Sequence, residues 1–370
     1  MKYLCFYDSK NHNRPVNIAA VNKINYICSV FNSAGTDIEI ISCAMTAPKS
    51  IPAQTEQLDE HTSVRYFSTR KIRSGRIWVL SEIIRRSLIV FFYLLFNTKK
   101  NEKVIVYHSL AIMRSVMLAH KIVGFHLLLE AEEIYNDVYL RSRRNKKTEL
   151  KFLNSADSYF FPTEILAKKI NTDGKPQAII YGAYEVKLTD AKAYNDGRIH
   201  IAYTGSFDPN KGGLFTALET SLYLGRDYCL HILGHGTAEA ENRLKRFVNE
   251  HSLKDACEII YDGLLSGDDY IKYLQRCDVG LSTQNPSAKF NSTSFPSKVI
   301  SYLANNLRVV TFPIEVLKQS EMNSLLYYYN DDSPQEIARV IKSIDFSKPY
   351  DSRSTVLEME KSFRSSVKKL

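Results

Sequence analysis

The sequence predicts an α/β protein of two domains, each built on a parallel sheet. Three observations carry that prediction: short apolar runs alternate with amphipathic stretches, several runs end on glycine or serine, and 370 residues suffice for two cores. The composition, 44% hydrophobic and 24% charged, is that of an ordinary globular chain. A formal charge of +9 favours an anionic partner: phosphates, a membrane surface or nucleic acid. The cysteines (Cys5, Cys28, Cys43, Cys229, Cys257, Cys277) are scattered, with no C-x-x-C pair. That pattern argues against a zinc site and a disulfide framework, and points to a reducing cytosol. The first residues enter a strand-like run with no secretory pattern.

Taken in order, residues 2–7 are an aromatic-rich apolar run and the expected first strand. A polar loop follows, then a helical pattern through Val21, Ile24, Ile27, Cys28 and Phe31 with Gly35 as its stop. Residues 37–42 are the next strand, so the unit is βαβ and the sheet parallel. No G-x-G-x-x-G stands in the opening loop. Arg70, Lys71, Arg73, Arg76, Arg85 and Arg86 lead into the apolar run 88–96, which Lys99, Lys100 and Lys103 close. That run is too short to span a bilayer, which takes roughly 20 residues. It reads either as an amphipathic helix packed on the sheet or as an interfacial element on an anionic membrane. Residues 104–107 and 125–129 are buried strands. Their ends put His108 and the acids Glu130, Glu132 and Glu133 where open α/β sheets hold ligands. His108 alone reads first as a satisfied core or rim histidine. Arg141, Arg143, Arg144, Lys146, Lys147 and Lys151 form a second basic run, either a solvated helix face or, with the earlier basic run, a contact to an anionic, phosphate-rich membrane surface. The polar segment 185–198 sets the expected boundary between domains 1–185 and 199–345, with 346–370 a helix returning to the first domain.

The second half repeats the pattern. Residues 199–203 are a strand opening on Thr204, Gly205 and Ser206, with Lys211 and Gly212-Gly213 before the next helix. A glycine there lets backbone approach a ligand, and Lys211 would sit beside a cradle of N–H groups. Further strands end at Gly234-His-Gly236, at Asp262-Gly263 and at Ser282. Residues 291–304 read as a loop turning into a helix, with Pro296 in the first turn and Ser292, Thr293 or Ser294 as its cap. Lys298 sits where the helix dipole alone would prefer an acid, which suggests an anionic guest.

Four segments carry a resemblance to a known family. Tyr203-Thr-Gly-Ser-Phe with Lys211-Gly looks like a diphosphate loop, and Leu230-His-Ile-Leu-Gly-His-Gly236 like the following strand. Ile260-Tyr-Asp-Gly263 resembles a segment near the nucleoside base, and Phe295-Pro-Ser-Lys-Val-Ile-Ser-Tyr-Leu-Ala304 resembles F-P-S-K-x-x-E-Y-L-A. Together they resemble the GT-B glycosyltransferases, most closely retaining family 4, over about residues 199–344; the acceptor-side likeness in the first half is weaker. The resemblance implies two Rossmann-like domains with parallel sheets facing a central cleft, and transfer of a sugar from a nucleotide-diphosphate sugar. It implies Lys211 and Lys298 on the diphosphate, and Glu132, Glu133 and His108 as sugar or acceptor contacts. Gly205, Ser206, Gly234, Gly236, Asp262, Gly263, Thr293, Ser294, Pro296, Ser297 and Ser301 would line the donor. No metal and no cofactor beyond the donor are expected.

Two departures stand out. The family's E-x7-E pair falls on Thr293 and Ser301, and Ser206 replaces the loop arginine. The expected acceptor is a glycan, lipid-linked, in surface polysaccharide synthesis at the cytoplasmic face of an anionic membrane. An inactive relative serving as a binding subunit and a sugar-nucleotide epimerase are the other readings. Nucleic acid is not an expected partner, since no helix-turn-helix, RRM or zinc motif is visible.

Overall fold

A computed structural model describes residues 1–9, 13–14, 16–138, 143–207, 213–251, 256–284, 291 and 293–370, with 138, 143 and 144 described by their backbone alone. The chain divides into two units, Met1–Ala183 with Phe363–Leu370, and Tyr184–Ser362.

In the first unit the elements run β1 (Lys2–Cys5), α1 (Ile18–Asn32), β2 (Ile38–Ser42), β3 (Thr46–Ala47), β4 (Gln54–Gln57), β5 (Thr62–Tyr66) and β6 (Arg70–Lys71). Then come α2 (Arg76–Asn97), β7 (Lys103–Tyr107), α3 (Met113–Val123), β8 (His126–Glu130), α4 (Tyr135–Val138), α5 (Arg143–Asn154), β9 (Ser158–Phe161), α6 (Glu164–Ile170) and β10 (Gln177–Ile179). The main sheet has the order β10-β9-β8-β7-β1-β2-β5-β4. All its pairs are parallel except β4 with β5. Central strands such as β7 and β8 are apolar on both faces because helices cover both sides of a parallel sheet. Their side chains form the core with Leu4, Ile41, Val90 and Leu94, each full burial contributing about 1.5–3 kcal/mol. Phe363, from the chain's end, stacks on Tyr26 at 6.0 Å and lies 5.7 Å from Phe160, which ties the last turn to this unit.

Helix α2 turns much of its apolar surface outward. Its buried residues are Glu82, Val90, Tyr93 and Leu94. Ile77, Leu80, Ile84, Leu88, Phe92 and Phe96, spaced three or four apart, are exposed, Ile77 by 87% and Phe96 by 75%. The basic patch expected here is smaller than the sequence suggests. Buried Glu82 holds Arg85 at 2.6 Å, Arg70 at 3.6 Å and Arg86 at 4.0 Å. Lys71, Arg73, Arg76, Lys99 and Lys100 remain exposed. Among the described residues no helix is long and apolar enough to cross a membrane.

The second unit runs β11 (Ile199–Ser206), α7 (Leu214–Ser221), β12 (Tyr228–His235), α8 (Ala238–His251), β13 (Glu258–Gly263), α9 (Gly267–Leu274) and β14 (Val279–Ser282). It continues with α10 (Ser297–Ala304), β15 (Arg308–Thr311), α11 (Glu315–Lys318), β16 (Leu326–Tyr328), α12 (Pro334–Lys342) and α13 (Ser352–Val367), whose last turn joins the first unit. Its sheet is parallel throughout, in the order β13-β12-β11-β14-β15-β16. Winding proceeds outward from β11 on one side and from β14 on the other. The β11/β14 seam is therefore the switch point, where loops part and an open α/β sheet leaves a crevice at its carboxyl edge.

Candidate functional site

At that seam β11 ends on Thr204, Gly205 and Ser206. Gly205 pairs in register with Gly234 of β12, and both take positive φ, +147° and +150°. A Cβ on Gly234 would stand 1.9 Å from the Gly205 carbonyl oxygen, so side chains are excluded and backbone alone fills the edge. Lys298, one residue into α10, reaches into the space left open: a Cβ on Gly205 would lie 3.4 Å from its Nζ. The ammonium rests 4.3 Å over the ring of buried Tyr203, a cation–π contact.

Helix α10 is pinned in place by Tyr302. Gly280 in β14 leaves room for that ring, since a Cβ there would approach it to 2.4 Å. The Tyr302 hydroxyl accepts the Thr204 N–H at 2.8 Å, tying α10 to the end of β11. This fixes Lys298 relative to Gly205. Neither Gly280 nor Tyr302 was expected as part of the site. A glycine inside an apolar strand is the one signal that could have found the pair.

The start of α10 differs from expectation. Pro296 occupies the cap position (φ −75°, ψ 93°) and the helix begins at Ser297, with no side-chain cap. Ser292 lies outside the described residues, Thr293 is buried and Ser294 half-buried. Val299 N–H already reaches the Pro296 carbonyl at 2.9 Å. Ser297 is exposed, and as a first-turn residue its N–H has no acceptor within the helix, which suits an anion. Ser301, where the resemblance expects a ribose-binding acid, shares a hydrogen bond with Tyr270 OH at 3.1 Å. Tyr270 OH in turn meets Thr204 Oγ1 at 3.2 Å. Ser301 thus belongs to a hydroxyl chain that braces α9 and α10 against β11.

The other expected donor contacts spread along the same edge. Ser206 is exposed at the end of β11, and Gly236 tucks beneath Phe207 and donates to Glu241 Oε1 at 3.3 Å. Asp262 and Gly263 end β13, two strands from the seam, and Asp262 accepts the Tyr273 hydroxyl. Lys211, expected beside Lys298, lies outside the described residues, as do Gly212 and Arg141.

The first unit has its own switch point between β1 and β7, and the expected acceptor residues cluster near it. Buried Glu130 accepts the Tyr3 hydroxyl and lies 3.3 Å from Lys23 Nζ. Burial raises its carboxyl above the ordinary range, and Lys23 opposes that rise. Glu132 pairs with the same Lys23 at 2.5 Å, and Glu133 is half-buried. Lys146 and Lys169 of the second basic run's neighbourhood both pair with Asp137.

His108 corrects the sequence expectation. It is wholly buried between Tyr135 and Phe152, ring centroids 4.8 and 5.9 Å away, so it is packed inside the unit and not open to a sugar. Burial pushes its pKa down to about 4 from 6.5. A hydrogen bond with the Glu133 backbone and the charge of Glu132 oppose that fall without reversing it, while Glu149, 3.4 Å from Nε2, accepts the Tyr135 and Asn136 N–H groups and the Asn136 side chain. The folded state therefore resists protonation while the unfolded state accepts it. Stability from this group is complete above pH 6.5 and is lost as pH falls toward 4. Denaturant unfolding of His108→Gln across that window is expected to show a pH slope smaller by about 1.4 kcal/mol per unit, one proton.

No protein-family model matches the chain, and no curated protein matches it. Solved structures do. The α,α-trehalose-phosphate synthase (UDP-forming) from Burkholderia xenovorans, in complex with glucose-6-phosphate, aligns with a TM-score of 0.71 at 10% identity, over 99% of this chain and 96% of that one. The α,α-trehalose 6-phosphate synthase from Burkholderia multivorans aligns at 0.66 and 11%, over 99% and 95%. Anabaena HepE, in complex with UDP and glucose, aligns at 0.64 and 11%, over the full length of both chains. At such identities the likeness establishes architecture, and that architecture is GT-B.

Proposed function

We propose that this chain is a glycosyltransferase that moves a hexosyl group, with retention, from a nucleotide-diphosphate sugar to a lipid-linked glycan. The observation that carries the reading is Lys298 held over Gly205 at the β11/β14 switch point, on a fold shared with the Burkholderia xenovorans synthase named as UDP-forming. Anabaena HepE holds UDP and glucose on that fold. In the proposed step the bond from the anomeric carbon to the diphosphate oxygen breaks, and the nucleoside diphosphate leaves. The acceptor hydroxyl oxygen bonds to the same face of that carbon, and its proton passes to the leaving phosphate. Lys298 and the Ser297 N–H meet the charge that develops on the diphosphate, a role in which fixed donors are most effective. Lys211 is proposed for the same task. The likeness to family 4 rests on the sequence motifs alone.

The test is a transfer assay. Wild-type protein with a panel of nucleotide sugars and lipid-linked acceptors should release nucleoside diphosphate, and Lys298→Ala should not. Ser301 favours a second reading, a donor-binding subunit without turnover, because a hydroxyl engaged with Tyr270 replaces the acid expected to hold ribose. Binding without release, across acceptors, would support that reading instead.

The acceptor's location is proposed from α2. Its outward stripe from Ile77 to Phe96, with Lys71, Arg73, Arg76, Lys99 and Lys100 exposed nearby, suits the headgroup region of an anionic bilayer. Flotation with anionic liposomes should recover the protein at low salt and lose much of it above 0.5 M or so, where the Debye length falls below about 5 Å. A Leu80→Glu, Leu88→Glu pair should abolish recovery. Equal recovery with neutral and anionic vesicles would contradict the electrostatic part of the proposal.

A further inference from the structure

Remote from the α10 start, the second unit buries two imidazoles in direct contact. His200 of β11 and Cys229 of β12 are register partners, and His231 follows two residues after Cys229, so all three side chains share one sheet face. All three are buried, and a ligating atom from each lies within 4.8 Å of the others. His200 Nδ1 faces His231 Nε2 at 2.8 Å. The outer nitrogens are engaged as well: His200 Nε2 meets Asp196 Oδ1 at 3.0 Å, and His231 Nδ1 meets Tyr273 OH at 2.6 Å. Tyr273 OH also meets Asp262. The Tyr194 ring stacks on both imidazoles, 4.0 Å from His200 and 5.0 Å from His231, and Arg276 caps it at 3.9 Å.

A count of donors shows what this chain lacks. From Asp196 through His200, His231 and Tyr273 to Asp262 there are four contacts, and each needs one hydrogen. Two neutral imidazoles and a phenol supply three, and carboxylates only accept. A cation bound by the two facing nitrogens, which would part from 2.8 Å to the roughly 3.3 Å that tetrahedral bonds of about 2.0–2.1 Å set, balances the count. His200 then donates through Nε2 to Asp196, His231 through Nδ1 to Tyr273, and Tyr273 to Asp262. Each imidazole thereby gives its remaining N–H to a carboxylate or phenol, which is how metal-bound histidines are oriented.

We propose that His200, Cys229 and His231 bind one divalent cation of borderline softness, of the zinc class, inside the second unit. Two imidazole nitrogens and a thiolate are the donor set such ions take, and the thiol gives the metal a third ligand that a bridging proton would leave idle. Glu258 Oε2 lies 3.9 Å from Cys229 Sγ but is held by Arg198 at 2.6 Å, so it would serve as a fourth ligand only by giving up that pair. Sequence spacing could not show this set, because parallel register alone brings residue 200 beside residue 229. Its place on a buried sheet face makes it a structural site, loaded as the chain folds.

The test uses the 370-residue chain without a histidine tag, unfolded, stripped with chelator and refolded with or without zinc or cobalt. One equivalent of zinc should survive gel filtration and raise the melting temperature. Cobalt should give tetrahedral visible bands and a near-ultraviolet thiolate-to-cobalt band, and Cys229→Ser should lose the latter. Asp196→Asn, at a site exposed enough to spare the fold, should weaken zinc binding by about 10–100-fold. A chain that refolds to the same circular dichroism yet retains no zinc and shows no thiolate band with cobalt would overturn the proposal. The imidazoles would then share a proton.

Discussion

Gly234→Ala is expected to destabilise the second unit by more than about 3 kcal/mol, or to prevent its folding. A methyl there meets the Gly205 carbonyl oxygen at 1.9 Å, backbone against backbone, and no rotamer relieves it. The residue must also hold φ +150°, which an L side chain resists. Overpacking and backbone strain each cost about 1–3 kcal/mol, and here they act together. Gly263→Ala is the matched control. Its φ is +72° but nothing lies within 4 Å of the added carbon, so only the torsional part, about 1–2 kcal/mol, should appear. Denaturant unfolding followed by circular dichroism compares the two. Equal losses would mean that the seam tolerates a methyl, and that Gly205 and Gly234 are not the reason Lys298 finds room.

Lys298→Ala is expected to leave the fold nearly intact and to remove most of the donor affinity. The lost cation–π contact with Tyr203 accounts for about 0.5–1 kcal/mol of stability, a small shift in melting temperature. A charge-assisted hydrogen bond to a phosphate is worth about 1.5–3 kcal/mol, so calorimetry should show the dissociation constant for a nucleoside diphosphate rising about 10–100-fold. If transfer occurs, its rate should fall by about 10²–10³, the usual cost of one donor aimed at developing charge. Lys298→Arg should recover part of the affinity and less of the rate, because a planar fork cannot occupy the same point over Gly205. An alanine variant that binds as tightly as wild type would move the anion site elsewhere.

Much of the architecture was legible because parallel sheets advertise themselves. Apolar runs at residues 2–7, 104–107 and 199–203 became β1, β7 and β11, and glycines marked where strands end. Strands β3 to β6 were not foreseen, since polar edge segments such as Gln54–Gln57 carry little hydrophobic pattern. At the site, the Lys298 helix start and Gly205 could be read from composition and dipole arguments, while their juxtaposition depends on Tyr302 filling the space over Gly280. His108 illustrates the opposite failure. A histidine at a strand end suits a ligand edge or a core equally, and only the packing of Tyr135 and Phe152 decides. The basic run before 88–96 misled for a similar reason: Glu82, a single acid in that stretch, is buried and gathers three of the arginines.

The proposed function places the diphosphate of a nucleotide sugar at the β11/β14 seam under Lys298. A crystal structure of the chain with a nucleoside diphosphate at millimolar concentration tests it most directly. Phosphate oxygens are expected within hydrogen-bond distance of Lys298 Nζ and the Ser297 N–H, beside Gly205. Nucleotide bound away from that seam, or no nucleotide at that concentration, would contradict it.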